Sequence, residues 1–203
     1  MFPFSTITRT FAVIRNSMKR NNINIIIAVS LVLMAATGRV VNASLHLPNF
    51  VPIAAISLFS GALLKDKRAF AFLIPLLGQF LADVYFQFFT HIPGFYWAVD
   101  QLFNYAAIIG ATAIGVSMKN MKPLPIFGSL LGASATFFIV SNFGYYAHGW
   151  NGYSFAGLTK TYIDAIPFYK NSFAADMVGG LVLFGGYFMV QRALLDKVEK
   201  AKI

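Results

Sequence analysis

The sequence predicts an all-α polytopic membrane protein: a bundle of six transmembrane helices with both termini cytoplasmic. Two observations carry this. The 203-residue chain is 58% apolar and only 11% charged, with a mean hydropathy of +0.66, a composition outside the range of soluble domains. The basic residues also alternate. Thirteen of the 16 Lys and Arg residues fall in every second gap between six long apolar stretches.

Those stretches are residues 23–43, 50–64, 69–89, 97–117, 125–147 and 173–191. Most have the roughly 20 residues that a helix rising 1.5 Å per residue needs to cross the hydrocarbon layer; the second is short. Arg9, Arg15, Lys19 and Arg20 precede the first stretch. Lys65, Lys67 and Arg68 follow the second, and Lys119 and Lys122 follow the fourth. Arg192, Lys197, Lys200 and Lys202 follow the sixth. Basic residues are retained on the cytoplasmic side, so the loops after the first, third and fifth helices are expected to face out.

Residues 1–22 contain no acidic residue, and Phe4, Ile7, Phe11, Ile14 and Met18 share one helical face. An interfacial amphipathic helix on the inner leaflet fits this pattern. A presequence or a signal peptide has a similar look, but the first apolar stretch is of spanning length. The organisation is then an interfacial helix over 1–22, a six-helix transmembrane domain over 23–192 and a cytoplasmic tail over 193–203.

The outer loops are rich in Pro, Gly and aromatic residues, and Phe155, Leu158, Tyr162 and Ile166 keep helical spacing within the segment 148–172. A short helix lying flat on the outer surface is expected there, either as a lid over a cavity or as a simple connection. Small residues recur at four-residue spacing, as in Ser57 and Gly61, Ala111 and Gly115, and Gly128 and Gly132. Such pairs allow helix backbones to approach closely.

Placed by depth, the polar groups gather on one side. Arg39 falls near the outer end of the first helix and Asp83 in the outer half of the third. Asp100, Gln101 and Asn104 occupy the outer turns of the fourth helix, Asn142 the outer end of the fifth, and Asp176 the start of the sixth. His46 and Asn49 join them from the first outer loop. Ionisable groups within a membrane face the bundle interior and pair with one another. Arg39 bridging Asp83 and Asp176 could tie three helices together, or the same groups could form an outward-facing cup for a ligand. The candidate substrate-binding residues are Arg39, His46, Asn49, Asp83, Asn104, Asn142 and Asp176. Both Trp and eight of the nine Tyr also lie on the outer half, where they suit a planar ligand or the outer headgroups.

The absence of Cys removes disulfides, thiolate metal sites and cysteine nucleophiles. His46, His91 and His148 match no metal motif, and no Walker, zincin or nucleophile-elbow pattern occurs. No cofactor, metal, enzymatic activity or nucleic-acid partner is expected; the net charge of +9 lies on one membrane face, opposite anionic lipid.

The stretch from Arg39 through His46-Leu-Pro-Asn-Phe-Val-Pro52 to Gly61 resembles the opening of an uncharacterised family of small six-helix bacterial integral membrane proteins. Its members read arginine, then His-Pro-Pro-Asn-Phe-Thr-Pro, then a small-residue helix. Leu81-Ala-Asp83, Ser141-Asn-Phe-Gly144 and Ala165-Ile-Pro-Phe-Tyr-Lys-Asn171 followed by Asp176 extend the likeness over roughly residues 30–190. Leu47 and Val51 depart from the family's Pro and Thr. The resemblance implies a bacterial plasma (inner) membrane location and no established activity. More distantly, the layout is similar to the substrate-binding S components of energy-coupling-factor transporters. Ala28, Ala35 and Ala36 lack the Ala-x-x-x-Ala spacing with which those proteins dock their coupling subunit. The expected function is an S-component-like membrane transport protein that binds a small organic or vitamin-like solute. The alternative is a non-transporting accessory subunit of a larger membrane assembly, with another membrane subunit as partner.

Overall fold

A computed structural model describes residues 26, 30–42, 45, 49–90 and 99–200, with side chains to residue 192. The interfacial helix expected over 1–22 lies outside the described residues. The architecture is all-helical, with no strand among the described residues. Its helices are α1 (Ser30–Asn42), α2 (Ile53–Leu63), α3 (Arg68–Phe89), α4 (Val99–Ser117), α5 (Pro123–Ala147) and α6 (Phe155–Lys200). A single 3₁₀ turn, Lys65–Lys67, joins α2 to α3.

Among the described residues, four helices, α3 to α6, are long and apolar enough to cross a membrane. The second expected span is not among them. With 11 residues, α2 is about 16 Å long at 1.5 Å per residue, about half the hydrocarbon thickness. It is apolar all round, and residues Ile53 to Ala62 are all buried, which is the pattern of a core helix. Packed against α3, α4, α5 and α6, it forms the axis of the bundle.

Close approach to α4 depends on two glycines. A Cβ on Gly61 would collide with the Thr112 carbonyl oxygen, and one on Gly115 with the Leu58 carbonyl oxygen. The small-residue pairs in these two helices therefore face each other. Gly128 differs from them, since a Cβ there would meet open space.

The sixth element also corrects the sequence expectation. Instead of a separate surface helix followed by a span over 173–191, α6 is one helix of 46 residues containing Pro167. It also runs through 193–200, residues expected to form a tail. Proline inside a helix removes one backbone donor and crowds the preceding turn. Together with Lys160, Asp164, Lys170 and Asn171, it makes this segment resemble a loop in the sequence. The N-terminal turns of α6 are held against α5: Tyr162 Oη donates to the Ile139 carbonyl at 2.8 Å.

Another proline shows how the core deals with backbone groups. Pro75 lies within α3 and is buried, so the carbonyl four residues back, on Ala71, loses its amide donor. Ser60 of α2 supplies a replacement, its Oγ donating to the Ala71 oxygen at 2.8 Å. Water cannot perform this task inside a membrane. Ser60→Ala should lower unfolding stability by about 1–3 kcal/mol, the cost of an unsatisfied buried acceptor. In a Pro75→Ala background, where residue 75 donates its own N–H, most of that loss should disappear. Reversible denaturation of the four proteins in detergent measures this coupling, and additive effects would refute the assignment.

Candidate functional site

Two buried carboxylates are tied into the fold by different means. Asp83 on α3 is only 1% exposed and pairs with Arg39 of α1, which is 17% exposed; the Nη1–Oδ1 distance is 2.5 Å. Tyr105 Oη of α4 donates to the other carboxylate oxygen at 2.7 Å. Gln79 Nε2 reaches both oxygens at 3.4 Å. The guanidinium also stands 5.5 Å from the centre of the Phe86 ring. One charge pair thus links α1, α3 and α4, with further hydrogen bonds to the acid, as a buried ion pair requires.

Asp176 of α6, 2% exposed, serves a separate purpose. Its Oδ1 accepts the backbone N–H groups of Ala54 and Ala55, each at 3.1 Å. These are amides of the first turn of α2, whose N-cap, Pro52, provides no side-chain cap. The remaining orphan amide, Ile53 N–H, donates to the Val51 carbonyl, and Ile56 N–H makes the first intrahelical bond, to the Pro52 carbonyl. Pro52 itself has no N–H, so all three orphan donors of the helix start are satisfied. The carboxylate also complements the positive end of the helix dipole. The expected bridge from Arg39 to both acids is replaced by two anchors: Asp83 holds Arg39, and Asp176 holds α2.

Above the N-terminus of α2 lies a cavity of about 790 Å³. The C-terminal part of α1 contributes Arg39 and Asn42, and the start of α2 contributes Val51 and Ile53. Gln79 and Phe86 come from α3; Asp100, Gln101 and Asn104 come from the first turns of α4. From α5 come Ser134, Phe137, Phe138, Ser141, Asn142 and Tyr145, and from α6 Ala165, Phe168, Tyr169, Ser172 and Asp176. His148 and Trp150 close the wall from the turn after α5, with their rings stacked at 4.9 Å. Gly149 and Gly152 take positive φ in this turn, a conformation that glycine adopts without steric cost. Asn49 also has positive φ, +58°, and its carbonyl accepts the Ser172 hydroxyl at 3.0 Å.

The polar side chains on this wall divide into engaged and open ones. Asn142 Nδ2 is spent on the Phe138 carbonyl at 2.8 Å. Asn104 Nδ2 donates to Gln101 Oε1 at 3.1 Å. Among the described residues, Asp100 Oδ1 is buried with no hydrogen-bond donor, whereas the Ser134 hydroxyl stands beside the Asp176 carboxylate. The aromatic wall is continuous, with Phe138 lying 4.3 Å from Tyr169 and 5.9 Å from Tyr162, centre to centre.

Of the seven residues singled out in the sequence, Arg39, Asn49, Asn104, Asn142 and Asp176 meet at this cavity. Asp83 does not line it; the requirement to neutralise Arg39 places it behind the guanidinium, fully buried. His46 lies outside the described residues. Ser134, Gln79 and Tyr105 were not anticipated. Ser134 and Tyr105 read as ordinary membrane residues, whereas Gln79, one turn from Asp83, carried a signal in its helical spacing. Among the described residues, no three His, Asp or Glu side chains converge in the manner of a metal site.

The fold and the cavity define a helical protein with four helices long and apolar enough to cross a membrane and a polar pocket at one end of its bundle. Over residues 19–199 the chain matches a family of unknown function, DUF6580, and it belongs to that family. Neither a curated protein nor a solved structure matches it.

The ion pair gives a stability prediction. Asp83→Asn should cost about 3–5 kcal/mol, since it strands a buried guanidinium. The double variant Arg39→Met/Asp83→Leu should recover most of that loss. Detergent melting curves of the single and double variants would check this, and an additive double variant would show that the pair is not energetically coupled.

Proposed function

We propose that the protein is a substrate-binding membrane transport protein whose cup, open to the outside, takes a small organic or vitamin-like solute. One observation carries this reading: a cavity of about 790 Å³, within the range of small-molecule sites, with an aromatic wall and a few convergent polar groups. Packing alone would close such a space or pair its polar atoms. The cavity lies where α1, α3 and α5 end and where α2 and α4 begin. Lys65, Lys67, Arg68, Lys119 and Lys122 flank the opposite helix ends. By the positive-inside rule that opposite end is cytoplasmic, so the cup faces out. The same rule supports six membrane-inserted segments, cytoplasmic termini and a bacterial inner-membrane location, and the likeness to S components belongs to this proposal.

The competing reading is an accessory subunit in which the polar cluster is purely structural. Asp83 and Asp176 favour it, because their carboxylates support the fold. Asn49, Asn104, Asn142, Ser134 and Asp100 favour the solute reading, because they line an open volume.

Small molecules extracted from the protein purified in mild detergent should include one species near equimolar ratio by mass spectrometry. Asn142→Ala should reduce its retention roughly tenfold, the weight of one or two hydrogen bonds, at unchanged melting temperature. A preparation without any bound small molecule, together with an Asn142→Ala variant that melts early, would support the accessory-subunit reading instead.

Orientation is tested separately, and the chain's lack of cysteine makes the labelling clean. Lys65→Cys and Lys122→Cys should react with membrane-impermeant maleimide only from the cytoplasmic side. Phe155→Cys, at the cavity end, should react only from outside. The reverse pattern would turn the cup inward.

A further inference from the structure

We infer that the solute carries a cationic nitrogen that docks on Asp100, with an aromatic or similarly flat body against the rings of the wall. The inference rests on the solute-binding reading and adds the chemical class. It follows from the charges. The charge of Arg39 is matched by Asp83 at 2.5 Å, and Asp176 is held by two amides of a helix start at 3.1 Å. Asp100 is the remaining carboxylate on the wall. Among the described residues, its nearest basic group is His148 Nδ1 at 3.6 Å, too far for a hydrogen bond.

An ionised carboxylate is an acceptor only. Among the described residues, one oxygen of Asp100 is buried and accepts from no group, a costly state that a donor from the solute would relieve. Beside Asp100 stand Tyr145 and the stacked pair of His148 and Trp150. Aromatic faces attract cations through their quadrupole, most strongly in the case of Trp.

Three indoles matched in size and differing in charge test this: tryptamine, tryptophol and indole-3-acetate, titrated into the full-length protein in nanodiscs by calorimetry. Tryptamine should bind roughly tenfold more tightly than either of the others, as expected for a charge-assisted bond. Asp100→Asn should remove that preference at an unchanged melting temperature. Equal or tighter binding of tryptophol or indole-3-acetate to the unaltered protein overturns the inference, as does absence of tryptamine binding. Undiminished tryptamine affinity in Asp100→Asn does so too. These titrations need no variant to fold, because the charge series on the unaltered protein is decisive by itself. The two levels remain separable. A neutral or anionic co-purified solute refutes the cation and leaves the solute reading standing, whereas a protein with no bound solute refutes that reading.

Discussion

The start of α2 imposes the strongest constraint on this bundle. A helix that begins within the bundle leaves its first backbone amides without intrahelical partners, and each unsatisfied group costs several kcal/mol in hydrocarbon. The chain solves this chiefly with one carboxylate from a distant helix. Asp176 takes the amides of Ala54 and Ala55, while the Val51 carbonyl takes that of Ile53. This fixes the depth of α2 relative to α6. It also explains the fit nearby, since a Cβ on Gly179, three residues after Asp176, would strike Pro52. Cap and close approach depend on each other.

Around that anchor, the polar groups divide into those used by the fold and those left for other work. Asp83, Gln79 and Tyr105 are engaged with Arg39 or with each other, and Ser60 repairs the carbonyl freed by Pro75. Thr112 and Ser57 return their hydroxyls to carbonyls four residues back, at 2.8 and 2.7 Å. These groups need no ligand to account for them. Among the described residues Asp100 does not resolve in this way, and it faces the cavity. A membrane protein has strong reasons to leave no buried polar atom unmet, so an unmet one marks where the fold alone is an incomplete explanation.

Much of this was legible in the sequence, for identifiable reasons. The cost of a charge in hydrocarbon predicts that Arg39 will find an acid, and the positions of Asp83 and Asp176 limit the choice to two. The period of small residues points to the contact between Gly61 and Gly115. What was hidden depends on tertiary context. Nothing local states that Asp176 caps a helix 122 residues away in the chain, because a cap supplied in trans leaves no spacing signature. The continuity of α6 was hidden for the converse reason: Pro167 and its polar neighbours carry strong local signals for a break, which packing against α5 overrides.

The short length of α2 connects these points to the cavity. A helix of about 16 Å in a layer of about 30 Å fills about half the depth of the bundle axis. Its neighbours α3, α4 and α5 continue past it and must enclose whatever lies beyond its start. Val51, Ile53 and Asp176 form the floor of that space, and the upper turns of the longer helices form its walls. The cavity is thus a direct result of where α2 begins, and the carboxylate that makes this start tolerable is also part of its lining. Lengthening α2 toward the cavity end would fill the site and remove the cap together. The buried helix start and the pocket are two aspects of one structural choice, which is why the polar residues of the chain gather at a single depth.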